Sequence, residues 1–268
     1  MNRVLIAAVA ASAFLSTSAI AGPSAKFAAT YGGPGPYVVS MVDIPYTADN
    51  TMMIDRNAGF TLATIKVPQD KELLVGVSAE VGLTTDTSIK GRNGGAAKAI
   101  AGARARALVF ACPTGFEGPA DYDASCTAFA APGRVTLSQR VQQLSATLGG
   151  VIESCEDGLG DNNDPDGVID VATECTVSDE EIGLMLDTLA SHHFNFVLPN
   201  MDQGEYDIVV VFLTGAAAQV EVDAYVLEED NFAEASAYAR AWVGNYMVTV
   251  QQVRAAKGGI IDAEIIEP

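Results

Sequence analysis

The chain has 268 residues, with 34 Asp and Glu against 15 Lys and Arg, a formal net charge of −19 and 49% hydrophobic residues. An acidic balance of that size repels nucleic acid and anionic lipid surfaces and attracts cations. After the first 21 residues no stretch is long and apolar enough for a helical membrane span, so the mature chain is expected to be soluble, with no membrane span.

Met1-Asn2-Arg3 is a short basic start, residues 4–15 are an apolar run, and Ala19-Ile20-Ala21 is a small-x-small cleavage site. This pattern predicts a signal peptide over 1–21, hence a secreted or periplasmic protein of bacterial type. The apolar run is shorter than the roughly 20 residues of a span, which argues against an anchor. An even number of cysteines in an exported chain favours pairing. Of the possible connectivities, Cys112 with Cys126 and Cys155 with Cys175 are expected, because each pair brackets a loop rich in Gly, Pro and Asp. A zinc site is the weaker alternative, since there is no C-x-x-C and the only histidines are His192 and His193.

Residues 22–36 read as a flexible lead ending in Gly32-Gly33-Pro34-Gly35-Pro36. Such a segment would serve as a free strand for exchange between subunits, although its glycines and prolines argue against that. Short strands are expected over 37–41, 51–54 and 60–67. Over 73–83 the residues Val75, Val77, Ala79, Val81 and Leu83 share one face, the period-two signature of a half-buried strand. Asn93-Gly94-Gly95 turns the chain. Over 99–111 alanine alternates strictly with larger residues, and alternation outweighs alanine's helix propensity, so a strand is predicted. Residues 112–126 form a loop. The strand over 135–148 changes parity between Val141 and Leu144, which implies a bulge or bend.

A second loop spans 155–175. Ser178-Asp179-Glu180-Glu181 is a capping box, and Ile182, Met185, Leu186 and Leu189 follow helical spacing, so the one helix is predicted over 179–192. Its end falls near His192-His193, where a histidine would cap the last carbonyls. Further strands are expected over 194–198, 206–212, 219–227, 233–243 and 246–253, the last two joined through Gly244-Asn245. An offset of 134 residues aligns Phe60 with Phe194, Val75 with Val209, Val77 with Val211 and Arg106 with Arg240. Duplicated halves and mere likeness between strands both account for it. The predicted fold is therefore all-β: an antiparallel β-sandwich over 37–268, immunoglobulin-like or Greek-key, with one short helix and a disulfide-bounded acidic loop.

The segment from Leu198 to Val210 resembles the turn and strand that carry the tyrosine corner of immunoglobulin-like sandwiches. That resemblance implies that Tyr206 bonds back to upstream backbone.

Charge is unevenly placed. Between Arg140 and Arg240 there is no Lys or Arg, and the interval holds 21 acidic residues. Within it, oxygen-bearing side chains and glycines alternate between Cys155 and Cys175, the arrangement a hard cation requires. Asn162, Asp164, Asp166, Gly167, Ile169 and Asp170 resemble the calcium loop of EF-hand and dockerin proteins, which implies a ligating carbonyl at Val168. The pattern departs at its end, where Thr173 stands in place of the closing acid and Glu174 follows it. Asp157-Gly158-Leu159-Gly160-Asp161 resembles the calcium-binding segments of thrombospondin type 3 repeats and adds Asp157 and Asp161. The expected cofactor is Ca2+. An ion-free Asx-rich turn held by the disulfide is the alternative.

No catalytic residue is predicted. The chain lacks H-E-x-x-H, G-x-S-x-G and a phosphate-binding glycine loop, and its carboxylates are too numerous to single out a catalytic pair. Trp242, with Tyr238 and Tyr246, offers a carbohydrate platform, but large side chains opposite an alanine face more often pack, and packing is favoured. The expected function is a calcium-stabilised, non-enzymatic interaction or structural module with a protein or glycan partner. A carbohydrate-binding module and a hydrolase with an unrecognised site are the alternatives.

Overall fold

A computed structural model describes residues 27–33, 35–68, 71–115, 126, 128–157, 167, 169, 174–223 and 232–253. It contains strands β1 (Phe27–Tyr31), β2 (Val38–Thr47), β3 (Asn50–Val67), β4 (Lys71–Arg92), β5 (Gly95–Pro113), β6 (Ala128–Phe129), β7 (Val135–Leu148), β8 (Val151–Cys155), β9 (Cys175–Ser178), β10 (Glu180–Met201), β11 (Gly204–Val222) and β12 (Phe232–Val253). All ladders are antiparallel. The signal sequence expected over 1–21 lies outside the described residues.

Sheet A runs β10–β4–β12, with β2 and β1 sharing the far edge of β12. Sheet B runs β3–β11–β5, with β7 and β6 sharing the far edge of β5. Taking the long strands alone, the orders are β2–β12–β4–β10 and β3–β11–β5–β7. This is the double Greek-key arrangement of a jelly roll, so of the two sandwich types expected the Greek-key one is realised. The hairpin β8–β9 stands apart as its own sheet between β7 and β10.

Alternation builds the core. On β4 the buried positions run from Leu73 through Val75, Val77, Ala79, Val81 and Leu83. On β5 the alanines from Ala97 to Ala111 turn inward, and on β12 those from Ala233 to Ala241 do the same. Small faces on both sheets pack into shared apolar clusters, so the layers meet there without long side chains between them. At one end the filling is aromatic. Phe60 stacks on Tyr246 with centroids 4.5 Å apart, and Tyr37 and Phe212 close round them. Some buried polar groups bond across the layers. Thr85 donates to Gln142 at 2.9 Å and Gln142 donates to Thr87 at 2.8 Å, while Ser40 donates to the Thr214 carbonyl at 3.0 Å.

The expected helix over 179–192 is not formed. Residues 180–198 pair one-for-one with β4, from Glu180 opposite Gly91 to Leu198 opposite Leu73. Ladder bonds to a 22-residue neighbour outweigh a local capping signal. The capping-box residues do other work: Asp179 pairs with Lys90 at 3.1 Å and Arg92 at 3.4 Å. Phe27–Tyr31, inside the stretch read as a flexible lead, is also a strand, because β12 beyond Val243 offers a free edge to it. Nor do 233–243 and 246–253 form a hairpin; they are one strand with a bulge between Val243 and Tyr246. The parity change expected in β7 is present but falls earlier, between Thr136 and Ser138, so Val141 is 65% exposed and Gln142 is buried.

Both expected disulfides are present, and no cysteine is free. Two disulfides point to an oxidising, extracellular or periplasmic environment. No helix among the described residues is long and apolar enough to cross a membrane.

Candidate functional site

The acidic loop hangs from the β8–β9 hairpin. Cys155 lies opposite Cys175 in the ladder and is bonded to it, and the Glu156 amide donates to the Glu174 carbonyl at 3.0 Å. Of the eight expected ligands, Asp157 and Glu174 are described. Asp161, Asn162, Asp164, Asp166, Val168 and Asp170 lie outside the described residues. Asp157 Oδ2 accepts from the Gly167 amide at 2.9 Å, while its Oδ1 is shielded from solvent with no hydrogen-bond partner. Gly167 has φ +74°, the left-handed conformation expected of a loop glycine at a sharp turn. Among the described residues no three His, Cys, Asp or Glu gather as a metal group. An orphaned carboxylate oxygen is the kind of donor a hard cation takes. The Cys155–Cys175 link fixes both ends of that loop whether or not an ion is bound.

The tyrosine corner is formed: Tyr206 Oη donates to the Asp202 carbonyl at 3.3 Å. It is an exposed turn device and carries no chemistry beyond the turn.

A second place where side chains converge is the outer face of sheet A. The alternation that buries the alanines of β12 turns Tyr238, Arg240 and Trp242 outward. Cross-strand register then sets their neighbours. One row reads Val39, Trp242, Gly82 and Leu189; the next reads Met41, Arg240, Thr84 and Asp187. A Cβ at Gly82 would overlap the indole of Trp242, and one at Gly244 would come within 2.6 Å of it. The ring therefore lies over a floor of two glycines. Beside it is a cavity of about 340 Å³ lined by Pro36, Glu80, Thr84, Asp187, Leu189 and Arg240 among others. Asp187 accepts from Thr84 at 2.8 Å, and Glu80 accepts from Asn245 at 2.9 Å. Arg240 Nε is enclosed with no partner.

Tyr246 does not join this face. The bulge after Val243 flips its parity into the core, where burial pushes its phenol above the ordinary 10.0. The packing role expected for the aromatics thus holds for Tyr246, while Trp242 and Tyr238 lie on the outer face and outside the core clusters. Glu80, Asp187 and Arg240 escaped the sequence reading because only strand register brings them to Trp242. The outward parity of Trp242, opposite the alanines, was the available signal.

His192-His193 forms no metal or catalytic pair. As neighbours in a strand they point to opposite faces, and His193 Nδ1 shares a hydrogen bond with Ser78 at 2.8 Å.

No family model matches this chain, and no curated protein matches it. Among solved structures, the "Structure of infectious bursal disease virus Gx strain" is similar at 9% identity with a TM-score of 0.20, covering 84% of this chain. The match spans 38% of that chain's length. The all-β fold is compatible with a structural or interaction protein.

Proposed function

We propose that this is an exported, calcium-stabilised, non-enzymatic jelly-roll protein that acts by binding or assembly in the cell envelope or extracellular space. The observation that carries the reading is the cross-linked β8–β9 hairpin, with Asp157 Oδ1 shielded and unpartnered at the mouth of an acid-rich loop. Calcium takes six to eight oxygens, and Asp157, Asp161, Asn162, Asp164, Asp166, the Val168 carbonyl, Asp170 and Glu174 would supply them. Carboxylates confined to one closed loop repel each other, and the ion offsets that repulsion. At a calcium concentration about 100 times its Kd, binding adds about 2.7 kcal/mol. The test is thermal melting of the mature protein in calcium and in chelator at equal, moderate ionic strength. A rise of several degrees in calcium is expected, and superimposable curves would overturn the reading.

A second reading, a glycan-binding module, is favoured by the glycine-floored indole of Trp242. An aromatic face flanked by carboxylate, hydroxyl and guanidinium groups offers a sugar both an apolar surface and hydrogen-bond partners. A glycan array with the wild type and Trp242→Ala tests it. Signals that vanish in the variant support the reading, and an empty array or signals unchanged in the variant reject it.

A further inference from the structure

The outer face of sheet B carries a different chemistry. Two of its rows read Asp55, Gly215, Arg104, Gln139 and Asn57, Leu213, Arg106, Thr136. Asp55, Asn57, Arg104, Arg106 and Leu213 from these rows, with Arg134 from the approach to β7, line a cavity of about 130 Å³; Arg56 borders it from β3, but its alternation with Asp55 and Asn57 turns its side chain to the other face. On that face three guanidinium groups, of Arg104, Arg106 and Arg134, meet the single carboxylate of Asp55. Arg104 is held by that carboxylate through two hydrogen bonds of 2.8 Å. Arg56, Arg106 and Arg134 have no ion-pair partner among the described residues. Arg106 Nε is shielded from water with no acceptor, a costly state for a charged donor.

We infer that this cavity is a binding site for a compact oxyanion: a sulfate, phosphate or carboxylate group. The unpaired guanidinium groups of Arg106 and Arg134, beside that of Arg104, supply forked donors that match such an anion in geometry as well as charge. Cavities of about 150 Å³ hold a benzene-sized molecule, so the space suits one small anionic group. The rest of the molecule decides against a polyanion. A chain of net charge −19 repels an extended acidic polymer while this local pocket still draws a single anion. The inference depends on neither the calcium loop nor Trp242.

The probes are sodium sulfate and sodium glucuronate, titrated calorimetrically into the mature protein at constant ionic strength with chloride as the balancing anion. Saturable heat is the readout because sulfate stabilises many proteins merely by exclusion from their surfaces. Single-site binding of at least one probe is expected. Sulfate alone would point to an inorganic ligand, and glucuronate alone to a sugar-borne carboxylate. Arg106→Gln and Arg134→Gln should each weaken binding roughly tenfold or more, the loss of one charge-assisted hydrogen bond, while Trp242→Ala leaves it unchanged. Circular dichroism checks folding, and if Arg106→Gln does not fold, exposed Arg134→Gln carries the comparison. No saturable heat from either anion, or binding unchanged by the arginine substitutions, overturns the site.

Discussion

The two outer faces of this sandwich are built on the same strand geometry and differ in charge balance: one is acidic, the other mixed with a local cluster of arginines. Sheet A turns Asp43, Glu80, Asp86, Glu181, Asp187 and Glu234 outward against Lys90, Arg92 and Arg240. Sheet B turns Lys66, Lys98, Arg104 and Arg106 outward against Asp55, Glu205 and Glu221, and beside them a satellite cluster of Leu108, Phe110, Cys112, Val209 and Val211 is capped by Cys126. The difference teaches that net charge says little about any one surface of an acidic protein. A chain with 21 acids in one interval still gathers arginines where β11, β5 and β7 lie side by side.

The strongest way to break the comparison is to unstaple one face. Cys112 is fully buried within β5 and its partner packs on the satellite cluster. Replacing Cys112 and Cys126 together by Ala should cost about 3 kcal/mol, read as a lower midpoint in urea. The same change at Cys155 and Cys175 acts on a hairpin outside both sheets. It should also lower the midpoint, since the loop it closes is the longer of the two, and it should abolish the rise in melting temperature with calcium.

Next in size is the floor under Trp242. In Gly82→Val the new Cβ would occupy the indole's place, so the ring must lift off the sheet. Overpacking of this kind costs roughly 1–3 kcal/mol. Tryptophan fluorescence should shift to the red as the ring gains solvent. The Arg-lined cavity on sheet B should keep its anion affinity, because the two faces share no residue. An unshifted spectrum would show that the glycine does not set the ring's position.

How much of this was legible in the residues follows from what each strand reports about itself. β4, β5, β11 and β12 declare their buried faces by alternation, and the cysteine pairs were found from the loops they bracket. β10 did not, because it is a sheet edge. Ile182, Leu184 and Leu186 are on one face, Met185 and Leu189 are on the other, and all are more than 40% exposed. Apolar residues on both parities mimic helical spacing, and only the unbroken run of even positions onward to Phe196 and Leu198 betrays the strand. The sites were less visible still. Trp242 and Gly82 are brought together by register, as are Arg106 and Arg134 by the meeting of β5 and β7, and no local pattern encodes either meeting.

A smaller effect separates core from face by pH. Burial raises the phenol of Tyr246 above 10.0, so above that pH the unfolded chain loses this proton more readily than the folded one. Unfolding then releases a proton, and stability falls as pH rises past about 10. Tyr246→Phe should flatten part of that fall, measured by denaturant melts between neutral and strongly alkaline pH. A slope unchanged in Tyr246→Phe would show that the buried phenol does not carry it.

The smallest stability change is expected at Asp55, and it sharpens the contrast most. Its carboxylate is more than half exposed, with a side-chain exposure of 53%, so its pair with Arg104 is screened by solvent. Loss of such a pair is worth roughly 1 kcal/mol or less. Asp55→Asn therefore should hardly move the melting midpoint. Yet it removes the one carboxylate from a face with the three guanidinium groups of Arg104, Arg106 and Arg134, taking the local balance from +2 to +3 and freeing Arg104. Sulfate affinity should rise at low ionic strength, and the gain should shrink as salt screens it. Weaker sulfate binding in Asp55→Asn would mean that Arg104 serves the site only while Asp55 orients it. The carboxylate would then be a positioning residue rather than a competitor for the anion.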